Sequence, residues 1–169
     1  MSVEQHRQQA ASELGFSGIT VSSSRTAADD RGGELLRRLI TESGHRWCGG
    51  EIVGDEVAAI RAAVSRCLAA SEVDVVVLTG GTGFSPADLT VEAVTPLFER
   101  PVEGFGEIFR ALSFEQVGAA AMLSRSTAGL VQGKAIFALP GSPKAVALAL
   151  ERLILPESAH LLAQARRVR

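Results

Sequence analysis

The stretch VVVLTGGTG, Val75 to Gly83, sets the tightest limit on what this chain can fold into. Val75 to Thr79 is apolar on both faces, the pattern of a central strand in a parallel sheet. Gly80, Gly81, Thr82 and Gly83 end that strand in a turn open to positive φ and to close backbone approach. Parallel strands cannot be joined by tight hairpins and need crossover segments, usually helices. The remaining sequence must therefore supply strands and helices in alternation.

It does so. Gly18 to Ser22 reads as a first strand, after a flexible N-terminal tail over residues 1–15. Leu35, Leu36, Leu39 and Ile40 then recur at helical spacing, and Gly44 is placed as a stop. His45 to Val53 is a second strand. Asp55 opens a helix that carries Val57, Ile60, Val64, Cys67 and Leu68 on one face. Beyond the glycine turn, VEAVTPLFER is a short helix interrupted by Pro96, and Glu107 to Leu112 forms another after GFG. Lys134 to Leu139 is a further strand, and PGSP leads into the apolar helix KAVALALERLI. The alternation predicts a three-layer α/β/α fold with a mostly parallel central sheet, as a single domain over residues 16–169.

Composition narrows the function classes. With 46% hydrophobic and 21% charged residues in 169, disorder is not expected. The longest apolar run, Ala145 to Leu150, is far short of the roughly 20 residues that span a bilayer. The opening MSVEQHRQQA has no apolar h-region, so a cytoplasmic location is expected. A net charge of −2 argues against general nucleic-acid binding. Cys48 and Cys67 form no CxxC and read as reduced, partly buried thiols; His6, His45 and His160 are too scattered to ligate a metal together.

Ligands of open parallel sheets gather outside the carboxyl ends of the strands. At such an end, the N–H groups of Gly80 to Gly83 can converge on an anion, and Thr82 and Ser85 add hydroxyl donors. The pattern is neither G-x-G-x-x-G nor a P-loop, so the residues alone leave open an anion site of unstated type or a plain strand-to-helix turn. Asp88 and Asp55 fall at the same predicted edge. Each is explained by helix N-capping when taken alone. Together, beside a phosphate turn, they have the chemistry to hold Mg²⁺. Leu139 to Pro143, LPGSP, is a second glycine turn, either a second anion contact through Ser142 or a sharp connection into the helix.

Several motifs in one order carry a resemblance: TVSSSRT, DDRGG, LTGGTG, the D-L-T-x-E-A segment from Asp88, VEGFGEIFR, SRSTAG and LPGSP. From about Gly18 to Ile154 the chain resembles the MoaB/Mog family of molybdenum cofactor biosynthesis proteins, relatives of the gephyrin G domain. VEGFGEIFRALSFEQVG is nearer the MoaB branch. The resemblance implies adenylylation of molybdopterin by Mg-ATP with release of pyrophosphate. It implies phosphate, nucleotide or pterin contacts at Thr79, Gly80, Gly81, Thr82, Gly83 and Ser85, and at Pro140, Gly141 and Ser142. Asp88 is then catalytic and Asp55 associated with activity, with Mg²⁺ near both. Arg25, and Arg110 or Arg125, are candidates to offset phosphate charge. Asp29 and Asp30 are expected to order the first loop and cap the helix near Gly33, and Glu103 and Glu107 to be solvated.

The implied partners are molybdopterin, ATP, other cofactor-biosynthesis proteins and copies of the chain itself, as a trimer or hexamer. Val117 to Leu123, VGAAAML, is either buried under the molecule's own sheet or an interface. The competing reading is a pterin carrier or scaffold without turnover. Related nucleotide-amidohydrolase and molybdate-insertion domains normally sit within longer chains.

Overall fold

In the computed structural model, which describes residues 13–167, the apolar run Val75 to Thr79 is fully buried at the heart of a six-stranded sheet. The expected tail falls largely on residues 1–12, outside the described residues. The elements are β1 (Gly15–Val21), α1 (Arg31–Glu42), β2 (Arg46–Val53), α2 (Val57–Ala69), β3 (Val75–Thr79) and α3 (Thr90–Val94). They continue with β4 (Arg100–Pro101), α4 (Glu103–Val117), β5 (Thr127–Val131), β6 (Lys134–Leu139), α5 (Pro143–Ala149) and α6 (Leu155–Ala165). Short 3-10 turns follow α3 and α4, and a π turn, Leu150–Ile154, joins α5 to α6.

The strand order is β2-β1-β3-β6-β5-β4. β2, β1, β3 and β6 run parallel, while β5 is antiparallel to β6 and β4 antiparallel to β5. Side-chain alternation explains why β3 must be apolar throughout. Val75 and Val77 face a core shared with Leu36 and Ile40 of α1, Phe105 and Phe109 of α4, and Val146 of α5. Val76 and Leu78 face the opposite core, against Ile60 and Val64 of α2 and Val94 of α3. The three-layer, mostly parallel architecture is as read.

Boundaries differ where tertiary contacts override local preference. β1 begins at Gly15 rather than Gly18, because Leu14 is already buried and Gly15 N–H donates to the Asp74 carboxylate at 2.8 Å. α4 starts at Glu103 and continues through Gly104 and Gly106, four residues before the expected Glu107. A Cβ on Gly106 would lie 2.8 Å from Ser126 O, so glycine is what lets this helix approach β5. The helix after β2 starts at Val57 on a Glu56 cap that makes no side-chain bond. Asp55 does not cap it. Asp30 does cap α1, as expected, accepting from Gly33 N–H at 2.9 Å. Cys48 and Cys67 are unpaired and partly buried, and burial pushes the Cys67 thiol above its ordinary value. No helix among the described residues is long and apolar enough to cross a membrane.

One titrating group reports on the packing of β1. His45 Nδ1 accepts the Leu14 N–H at 3.3 Å, and its ring lies 5.1 Å from that of Phe16. Burial pushes the His45 imidazole below the ordinary histidine range, with the Glu13 charge acting weakly the other way. The unfolded chain therefore takes up this proton first, so the contribution is complete above about pH 6.5 and falls as pH drops towards the folded value. The urea midpoint should decline as pH drops below about 6.5. His45→Asn, which keeps an acceptor for Leu14 without titrating, should flatten that decline.

Candidate functional site

The chain leaves β1 towards β2, then passes back over β1 to form β3, so the loops after β1 and β3 diverge to opposite faces of the sheet. That divergence opens a crevice at the carboxyl edge. The glycine turn lies beside it. Gly80 and Gly81 have φ of 97° and 66°, and a Cβ on either would lie 2.4 Å from an oxygen, Val21 O or Thr90 Oγ1 respectively.

The peptide groups of this turn are sorted by direction. Gly80 O accepts from Thr90 Oγ1 at 2.7 Å and Gly81 O from Thr90 N at 3.0 Å. Thr82 O accepts from Arg125 N at 3.0 Å and Gly83 O from Arg125 Nε at 2.8 Å. The N–H groups of Gly81, Thr82 and Gly83 donate to no acceptor among the described residues. Successive free N–H groups in a turn with positive φ form a concave anion-binding nest. Beside them is a cleft of about 270 Å³ lined by Gly81, Thr82, Gly83, Asp88, Pro140 and Gly141, with Ala120, Leu123 and Ser124 as its further wall.

Both acids are fixed by one oxygen. Asp88 Oδ2 accepts the Ser85 N–H at 2.8 Å, and a Cβ on Gly83 would stand 2.7 Å from that oxygen. The cap of α3 is Leu89 and makes no side-chain bond, so Asp88 is not a helix cap. Asp55 Oδ2 accepts both the N–H and the hydroxyl of Ser23, at 2.8 and 2.7 Å, tying the loop after β2 to the loop after β1. The Oδ1 atoms of both acids have no hydrogen-bond partner among the described residues. Asp55 follows β2 and Asp88 follows β3, with β1 between, a strand separation of about 10 Å. Asp88 lines the cleft and Asp55 does not.

The other candidates divide. Thr79 is buried at the end of β3, its hydroxyl 3.5 Å from that of Thr20. Ser85 is exposed, and its hydroxyl accepts from Ala87 N–H. Pro140 and Gly141 line the cleft, whereas Ser142 caps α5 through Ala145 N–H and lines a neighbouring groove between α4 and α5. Arg25 reaches Gly141 O at 3.5 Å and Asp30 at 3.9 Å. Arg110 donates to Ser124 O and Ser126 O and holds the start of β5, so it is engaged structurally. Arg125 is engaged with the back of the glycine turn. Glu103 and Glu107 are exposed, as expected. Thr90, Ser23, Ala120 and Leu123 were given no role at the site from sequence, although they stand within the quoted stretches D-L-T, TVSSSRT and VGAAAML.

No group of three or more His, Cys, Asp or Glu side chains that could hold a metal ion occurs among the described residues. Mg²⁺ commonly binds through one or two carboxylates plus substrate phosphates. Asp88, with one free oxygen at the cleft, has the chemistry for an ion that arrives with a phosphate ligand rather than one caged by the protein, and Asp55 stands outside the cleft.

The family described as probable molybdopterin binding domain matches residues 17–160. Molybdenum cofactor biosynthesis protein B of Bacillus subtilis (strain 168) is 45% identical over 168 residues, 99% of this chain and 99% of its own. The solved structure of the tungsten cofactor synthesizing protein MoaB from Pyrococcus furiosus superposes with a TM-score of 0.85 at 37% identity, covering 94% of this chain and 100% of that one. A MogA structure superposes with a TM-score of 0.81 at 27% identity, over 89% of this chain and 99% of its own. Identity is higher to the MoaB structure than to the MogA one, in line with the motif reading.

Gly81→Val tests the turn. The added side chain meets Thr90 Oγ1 at a positive-φ position, so the turn cannot keep its shape. The variant should lose thermal stability, and any affinity of the turn for inorganic pyrophosphate should fall by about an order of magnitude or more, as read by melting and calorimetric titration.

Proposed function

This chain belongs to the molybdopterin-binding family of molybdenum cofactor biosynthesis proteins, and from that premise we propose that it adenylylates molybdopterin. A terminal phosphate oxygen of molybdopterin forms a bond to the α-phosphorus of ATP, the bond from that phosphorus to the bridging oxygen breaks, and pyrophosphate leaves. The reaction brings two anions together, so catalysis rests on positioning and on neutralising charge. The observation that carries this reading is the row of N–H groups at Gly81, Thr82 and Gly83 beside a carboxylate, Asp88, already fixed by Ser85.

In this reading the turn from Thr79 to Gly83 cradles phosphate, while Pro140, Gly141 and Ser142 border the second substrate. Asp88, with Asp55 from the neighbouring loop as a second carboxylate, would hold Mg²⁺ carried by ATP, and the ion would supply charge neutralisation on the phosphates. Arg25 stands at the Gly141 side, where a second anionic group would lie. Other cofactor-biosynthesis proteins would supply and receive the pterin, in the cytoplasm.

The reading includes self-assembly. Val117, Met122 and Leu123 are 57%, 75% and 59% exposed, and only Ala121 within that segment is buried. The segment is therefore not covered by the chain's own sheet. Leu123 also lines the cleft, so a second copy over this face would close one wall of the site. A closed trimer or hexamer accounts for an apolar surface of this kind. Light scattering at micromolar concentration should give a mass of three or six chains, and a single-chain mass contradicts the assembly.

The activity is tested by incubating the chain with molybdopterin and Mg-ATP and measuring adenylylated product and pyrophosphate. Asp88→Asn should abolish turnover with little change in melting temperature, since it removes charge at nearly constant volume and caps no helix. Asp55→Asn keeps an acceptor for Ser23 and should also lose turnover. A wild-type chain that binds both ligands and forms no product is a carrier. A wild-type rate in Asp88→Asn removes the assigned role of that residue.

A further inference from the structure

Arg125 follows the 3-10 turn Gly118–Leu123 and lies behind the glycine turn, away from the N–H groups facing the cleft. Its own N–H donates to Thr82 O at 3.0 Å, Nε to Gly83 O at 2.8 Å and Nη2 to Asp88 O at 2.9 Å. Nη1 is bonded to Glu92, whose second carboxylate oxygen lies 3.3 Å from Nη2. The guanidinium also lies over the Phe84 ring, 5.3 Å from its centroid. One planar side chain thus meets two carbonyls of the loop at once, Gly83 O and Asp88 O, held in its plane by a carboxylate on the far side.

A trans peptide is rigid, so fixing the direction of one carbonyl fixes the following N–H in the opposite direction. Thr90, holding Gly80 O and Gly81 O, sets the N–H groups of Gly81 and Thr82. At residue 125 the backbone N–H, holding Thr82 O, sets that of Gly83, while Nε of the guanidinium, holding Gly83 O, sets that of Phe84. Its bond to Asp88 O also fixes the backbone that carries the cleft carboxylate.

We propose that Arg125 is the positioning residue of the anion site: from behind the loop its guanidinium aims the Phe84 N–H group and the backbone of Asp88, and Glu92 holds it in register. The proposal deepens the adenylyl-transfer reading and rests on its assignment of the glycine turn to phosphate. The role depends on the fork of donors rather than on charge alone. Lysine has the charge and lacks the planar fork, so Arg125→Lys separates the two.

The test uses the full chain. Amide resonances of Phe84 and Leu89, which follow the two carbonyls held by the guanidinium, are recorded by NMR without ligand, and inorganic pyrophosphate with Mg²⁺ is titrated by calorimetry. Arg125→Lys should shift or broaden both amides and weaken pyrophosphate binding about tenfold or more, with circular dichroism unchanged. Glu92→Gln, which leaves the guanidinium in place, should weaken binding by a smaller factor of about three. Added guanidinium ion should restore part of the binding lost in Arg125→Ala. Unmoved amides and wild-type pyrophosphate binding in Arg125→Lys overturn the proposal. Should the wild-type chain bind no pyrophosphate, the functional reading fails, and the amides alone then decide whether Arg125 shapes the loop.

Discussion

The carboxyl edge of this sheet depends on Gly80 having no side chain. Its N–H donates to Leu139 O at 2.9 Å, and a Cβ on it would stand 2.4 Å from Val21 O. Gly141, in the turn after β6, comes so near that its own Cβ would lie 3.4 Å from the Gly80 Cα. The ends of β1, β3 and β6 therefore meet at a single residue that only glycine can occupy. Because Gly80 passes through this gap at positive φ, its carbonyl reaches Thr90, and the following N–H groups are left facing the cleft.

Among the described residues no lysine or arginine lines this cleft, so its capacity for anions rests on backbone donors. The arginines nearby are already engaged: Arg125 with Glu92 and the loop carbonyls, Arg110 with Ser124 and Ser126, Arg25 with Gly141 and Asp30. The Arg125 guanidinium holds the Glu92 carboxyl below the usual carboxylate range, so the clamp behind the loop stays charged at neutral pH. Backbone donors fixed by a folded sheet also need little reorganisation as negative charge develops on a reacting phosphate.

The parallel core was legible because β3 is apolar on both faces and its neighbours carry short β-branched runs. The antiparallel edge was not. β4 is only Arg100–Pro101, and β5, TAGLV, has a glycine at its centre. The extent of α4 was hidden for a related reason, since Gly104 and Gly106 lower helix propensity in a segment that packing against β5 favours. At the candidate cleft, the glycine turn and Asp88 were legible as neighbours at one sheet edge, whereas Asp55 lies outside the cleft lining. Their restraints were not: the partners of Asp55, Gly83 and Asp88 include Ser23 and Arg125, 32, 42 and 37 positions away. An aspartate before a helix reads as a cap from sequence alone, and only the fold turns Asp55 towards Ser23 instead.

On the proposed function, backbone N–H groups of the glycine turn hold the reacting phosphates. A crystal structure of the chain with Mg-ATP tests it most directly. The account predicts phosphate oxygens within hydrogen-bonding distance of the Gly81, Thr82 and Gly83 N–H groups, with Asp88 facing the same phosphates. A triphosphate bound elsewhere, with those N–H groups left to solvent, would contradict it.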